Sequence, residues 1–105
     1  MLRIYDDMLD VIEMLKPLLR AIAAHDRDLT DQLARASKSV ALNLAEGSGS
    51  AGGVRMARYR TALGSARETF TALQVAHRAG YIPPMPPTVA ASMNRVIGTL
   101  VNITK

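Results

Sequence analysis

Asn43 and Glu46 form one polar pair in this chain, and Ser65 and Glu68 form another. Both pairs are spaced i, i+3, so on a helix each shares one face. Two carboxylates presented by two helices could do general acid–base work or hold a hard cation. The competing reading is a structural polar network that fixes helix register, with Arg35 or Arg67 as partner. We prefer the network, because a di-metal bundle site uses Glu-x-x-His motifs and the sequence has none. Ser65 has no base at a local spacing, since neither His25 nor His77 lies where a nucleophile–base pair would put it. Both histidines read as surface or boundary residues.

The densest chemical signal is basic. Arg55, Arg58, Arg60 and Arg67 crowd the first half of one helix, and Arg35 and Lys38 stand on the helix before it. Arginine recognises phosphate bidentately, so this set could contact a nucleic-acid backbone with little sequence selectivity and strong salt dependence. A solvated face with salt bridges between subunits is the alternative. Tyr59 is the only aromatic among these residues, and it occupies a core position, which argues against base stacking. The stretch Gly47-Ser48-Gly49-Ser50-Ala51-Gly52-Gly53 lacks the Gly-Lys-Ser/Thr of a phosphate-binding loop, because Val54-Arg55 follows. It reads as a flexible linker; an anion site assisted by Arg55 and Arg58 is the other possibility. No cofactor motif is present.

Four helices must position these residues. The first, about 2–24, carries Ile4, Met8, Val11, Leu15, Leu18 and Ile22 in alternating steps of four and three, with Tyr5, Leu9, Ile12 and Leu19 beside them. That apolar face is wider than one partner helix needs. Pro17 predicts a bend without a break. The second helix, about 29–46, follows an aspartate cap (Asp26 or Asp28) and pairs Leu29, Leu33, Ala36, Val40 and Leu44 with a small-residue stripe, Ala34, Ser37, Ala41 and Ala45. The third, about 54–79, repeats the spacing at Tyr59, Leu63, Ala66, Phe70, Leu73 and His77, and Gly80 closes it. Gly64-Ser65 is expected to be its closest approach to the Ala41/Ala45 stripe. Pro83-Pro84-Met85-Pro86-Pro87 then reverses the chain into a fourth helix, about 88–103, with Val89, Met93, Val96, Leu100 and Ile103 inward. Short connections favour an all-α, antiparallel up-down-up-down four-helix bundle, a single domain over 1–105.

Composition agrees. Sixteen alanines and only four aromatic residues suit close helix packing better than a sheet core. The absence of cysteine excludes a disulfide framework and thiolate metal ligation. Asp6, Asp7 and Asp10 interrupt any early apolar run, so the start does not read as a signal peptide, and no run is long enough to span a membrane. A cytoplasmic protein is expected. Residues 1–31 hold four Lys/Arg against seven Asp/Glu, whereas residues 32–105 hold nine against two. The basic part could attract polyanions, or the acidic start of one chain could steer against the basic part of another.

The segments Asp28-Leu29, Gln32-Leu33-Ala34-Arg35-Ala36 and Ser39-Val40-Ala41-Leu42-Asn43-Leu44-Ala45-Glu46-Gly47, then Tyr59, Ala62-Leu63-Gly64-Ser65-Ala66-Arg67-Glu68 and Ala79-Gly80-Tyr81-Ile82, resemble a family. It is the bacterial four-helix-bundle family of proteins encoded within intervening sequences of 23S ribosomal RNA genes, which includes the accessory variability determinant of diversity-generating retroelements. The resemblance covers about residues 25–82 by motif and the flanking helices by pattern. It implies a ring-like homopentamer, and for the retroelement members nucleic-acid binding and association with a reverse transcriptase.

Two functions follow as expectations. One is a non-enzymatic oligomeric accessory protein that contacts RNA or DNA through Arg35, Lys38, Arg55, Arg58, Arg60 and Arg67. The other is a scaffolding homo-oligomer with a protein partner, suggested by the wide apolar face of the first helix and the acidic first segment. A hydrolase or metalloenzyme ranks last, because no nucleophile–base or metal-ligand set is recognisable.

Overall fold

The computed structural model describes residues 2–105, which form four helices and no strand: α1 (Arg3–Ala23), α2 (Arg27–Ser48), α3 (Gly52–Arg78) and α4 (Pro87–Ile103). Three of the helix ends have a clear local cause. Asp26 caps α2, its side chain accepting from the Leu29 amide at 2.9 Å. Gly80 takes φ +84° just past α3, where the Tyr81 amide reaches back to the Ala76 carbonyl at 2.9 Å, the left-handed ending that glycine accommodates best. Pro87 opens α4 at a position whose amide would have no helical partner. α1 runs on through Pro17. Pro17 and Glu13, whose carbonyl loses its bond there, are both exposed, so water can satisfy it.

Consecutive helices pack together and α4 returns to α1, so the neighbours form a closed square with the α2–α3 seam the most extensive. The bundle measures 42 × 24 × 21 Å. Met8, Val11, Leu15 and Ile22 of α1, Leu33, Val40 and Leu44 of α2, and Val89, Met93, Val96 and Leu100 of α4 are fully enclosed. With Ile4, Leu29 and Ala36, which are also buried, these are the inward residues expected from the spacing, apart from Leu18 and Ile103, which are half-buried.

α3 departs from expectation at three of its six inward positions, where the preceding residue is buried instead. Its buried residues are Tyr59, Ala62, Ala66, Thr69, Ala72, Leu73 and Ala76, while Leu63, Phe70 and His77 sit half-buried at the edge. Alanine carries too little apolar contrast for a hydrophobicity pattern to find, yet it lets backbones come close. Leu63 and Phe70 therefore border the core, while Ala62, Ala66, Ala72 and Ala76 face it beside Tyr59 and Leu73.

The glycine-rich stretch also differs from the expected flexible linker. α2 continues through Gly47 and Ser48, and α3 begins at Gly52, leaving only residues 49–51 between them. Gly47 explains the continuation. It is buried, and a Cβ placed on it would stand 2.5 Å from Cε1 and 2.7 Å from Cδ1 of Tyr59. Only glycine admits the ring there, and the ring packing holds the last turn of α2 in place. Of the expected Gly64-Ser65 contact, Gly64 is exposed with nothing within 4 Å of where its Cβ would be, whereas Ser65 does meet α2, at Ser39, with 2.8 Å between the hydroxyl oxygens. The glycine that admits a close neighbour between α2 and α3 is Gly47, against Tyr59.

Candidate nucleic-acid-binding surface

The six basic residues do not form one patch. Arg55 and Arg58, three apart, turn toward the end of α2. Arg55 donates through Nε to the Gly47 carbonyl at 3.1 Å and through Nη2 to the Ser48 carbonyl at 3.5 Å. Both carbonyls lie in the last turn of α2, where a cation is favoured by the helix dipole, and the Gly47 carbonyl also accepts from the Ser50 amide at 3.1 Å. Arg58 pairs with Glu46 at 3.0 Å, both side chains about half exposed. Both side chains thus have partners within the chain at the end of α2, though both remain exposed.

Arg60 lies two residues beyond Arg58, roughly 200° around the helix. With Arg67 and Arg78 it forms a row on the outer side of α3, all three exposed, because steps of seven and eleven residues return to nearly the same direction. Arg78 was not among the expected basic residues; its match to Arg60, eighteen residues or about five turns away, is visible only once α3 is known to be unbroken. Glu68 is the sole acid in α3, about 80° from this row. On α2, Arg35 and Lys38 are exposed on one face, shared with Leu42, which is 62% exposed. Among the described residues the only ion pairs are Arg58–Glu46 and Arg95–Asp7, so Arg35, Lys38, Arg60 and Arg67 carry charge that no acid of the chain neutralises at contact distance.

The four residues of the expected polar network divide. Asn43 is buried and donates through Nδ2 to the Ser39 carbonyl at 2.9 Å and to Ser39 Oγ at 3.1 Å. Ser39 Oγ lies 2.8 Å from Ser65 Oγ, bridging α2 to α3. Ser39 Oγ accepts from Asn43, and either serine hydroxyl can donate in the bond between Ser39 and Ser65. Glu46 belongs to the surface pair with Arg58. Glu68 is exposed and outside the network, and neither Arg35 nor Arg67 enters it. Ser39 completes the bridge, although the sequence reading placed it only in a motif. Among the described residues no group of three or more His, Asp or Glu is arranged to hold a metal ion.

Two further features have no counterpart in the sequence reading. Arg95 donates bidentately to Asp7, and its hydrogen bonding to that carboxylate raises the arginine pKa further above its ordinary high value. Beside this pair an open groove of about 820 Å³ runs between α1 and α4, floored by Met14, Pro17 and Val89 with Asp10 and Glu13 along it. At the loop end of the bundle, the His25 ring stacks on Tyr81 at 5.0 Å between centroids. His77 Nδ1 lies 3.2 Å from the Ile82 carbonyl, which can only accept, so that nitrogen carries the proton. Both histidines serve packing.

The square of four helices with single-residue polar bridges defines a four-helix-bundle protein. The chain belongs to the 23S rRNA-intervening sequence protein family, whose model matches residues 2–99. The family resemblance read from the two middle helices therefore extends over nearly the whole chain. No curated protein matches it. A crystal structure of a protein with unknown function from the S23 ribosomal protein family of Bacteroides thetaiotaomicron VPI-5482 is similar, with a TM-score of 0.81 over 97% of this chain and 98% of that chain at 18% identity. At that identity the likeness is one of fold. Among the described residues no helix is long and apolar enough to cross a membrane.

Proposed function

We propose that this protein is a non-enzymatic accessory protein that self-associates and contacts the backbone of RNA or DNA through the basic outer faces of α2 and α3. One observation carries the nucleic-acid part: Arg35, Lys38, Arg60 and Arg67 remain exposed after the ion pairs of the chain are formed. Contacts of this kind read phosphate and carry little sequence information. The family points the same way, since its description ties its members to ribosomal RNA genes. The retroelement members add a reverse transcriptase as a candidate partner, and a homopentameric ring as the candidate assembly.

Fluorescence anisotropy with labelled single-stranded RNA and duplex DNA tests the proposal. Binding at low salt should weaken steeply as salt rises. The Arg35→Glu/Lys38→Glu variant should lose most of it while keeping its helix content. No binding at low salt, or equal binding by the variant, would reject this surface. A scaffolding role with a protein partner is the second reading, favoured by Leu9 and Leu42, which are 42% and 62% exposed. It requires association that survives high salt with no nucleic acid bound.

A further inference from the structure

Asp6, Leu9 and Glu13 of α1 and Arg60, Leu63 and Arg67 of α3 share one spacing, i, i+3, i+7. Each set is a leucine between two like charges, and the two sets are opposite in sign. On a helix this spacing makes a single row about 10 Å long. All four charged residues are exposed, and none belongs to the ion pairs found among the described residues. Leu9 is 42% exposed, and Leu63 is half-buried at the edge of the core. Beside Leu63, Gly64 offers no Cβ and has open space around it, so the arginine row can be approached closely. α1 and α3 are not neighbours in the bundle. One chain therefore cannot bring its two rows together.

We propose that the Asp6–Leu9–Glu13 row of one chain docks on the Arg60–Leu63–Arg67 row of a second copy, leucine against leucine and each acid against an arginine. The logic is that of paired helices in which flanking charges choose the partner around an apolar seam. Each chain offers one row of each sign on different helices, so the contact is head-to-tail and each added copy exposes a new row. The inference rests on the self-association part of the proposed function; where two copies dock, Arg60 and Arg67 are taken into the contact, and Arg35 and Lys38 of α2 are left to meet the polyanion.

Sedimentation velocity of the full chain at low and raised salt tests it. Asp6→Arg/Glu13→Arg and Arg60→Glu/Arg67→Glu should each weaken self-association about tenfold or more, because two attractions become repulsions. An equimolar mixture of the two variants should recover association, with the copies alternating. The neutral variant Asp6→Asn/Glu13→Gln should weaken association less, and circular dichroism should show all variants folded. Association of the wild type that neither reversal disturbs, or folded variants whose mixture stays dissociated, would overturn the contact and leave self-association standing. A wild type that is monomeric at every concentration would overturn both.

Discussion

Arg95 Nε lies 3.2 Å from Asp7 Oδ2 and Arg95 Nη2 lies 3.1 Å from Asp7 Oδ1, so the last helix is clamped to the first by a fork. Arg95 Nη2 also reaches Ser92 Oγ at 3.2 Å, which fixes the guanidinium from its own helix. The two partners are unequal: the Asp7 side chain is 11% exposed and that of Arg95 is 45% exposed. Removing Asp7 leaves a cation that water can solvate, whereas removing Arg95 strands a carboxylate in the bundle. Arg95→Met is therefore expected to lower the melting temperature more than Asp7→Asn. Thermal unfolding of both single variants and the double variant checks the order, and the double variant should be less damaged than Arg95→Met alone.

Gly47 and Gly64 should respond to alanine with opposite signs. Alanine in a helix interior gains roughly 1 kcal/mol over glycine. At Gly64 nothing stands within 4 Å of the new methyl, so Gly64→Ala is expected to show that gain, about 4–8 °C in a domain of this size. At Gly47 the methyl would stand 2.5 Å from the Tyr59 ring, which is itself buried and whose hydroxyl lies 3.3 Å from Ser48 Oγ. Displacing that ring should outweigh the helix gain, for a net loss of about 1–3 kcal/mol. Chemical denaturation of both variants measures the difference. Adding Tyr59→Leu should recover part of the loss at Gly47.

These two glycines also mark how far the sequence could be read. The four helices and the inward residues of α1, α2 and α4 follow from large side chains at steps of three and four, a pattern that survives translation into structure because each row has one core to face. On α3 the same logic points to Leu63, Phe70 and His77, but the bundle turns Ala62, Thr69 and Ala76 inward. Which residues face the core there depends on a tertiary fit between α2 and α3 that local spacing does not encode. The basic site was legible as composition and not as geometry. Arg55 and Arg58 turn to the end of α2, and that end lies later in the chain than the glycines suggested. The Arg95–Asp7 clamp joins positions 88 apart, and no local pattern links them.

The serine bridge between α2 and α3 should behave as a coupled unit. Ser39 Oγ is 2.8 Å from Ser65 Oγ and is oriented by Asn43. A double-mutant cycle with Ser39→Ala and Ser65→Ala is expected to give a coupling of about 0.5–1.5 kcal/mol. Asn43→Ala should destabilise by a similar amount and reduce that coupling, since Ser39 Oγ then loses the donor that helps to hold it in place. A coupling indistinguishable from zero in the wild-type background would show that the contact adds nothing to the seam.

The last prediction separates the basic residues by what they touch. Arg55 donates to the Gly47 carbonyl at 3.1 Å. Its loss should fray the end of α2, seen as faster amide exchange in residues 46–50, with little change in affinity for nucleic acid. Arg58→Ala removes one partner of an exposed pair, worth about 0–1 kcal/mol at most, and leaves Glu46 unneutralised. Arg35 and Lys38 make no such contacts, so charge reversal there should cost almost no stability while lowering the salt concentration at which the protein leaves heparin. Salt dependence adds an independent measure. The slope of log affinity against log salt should fall by nearly one unit for each phosphate contact removed, so Arg35→Ala/Lys38→Ala should flatten it and Arg55→Ala should not. Equal flattening by both would return Arg55 to the binding surface and show that its bond to Gly47 yields to phosphate.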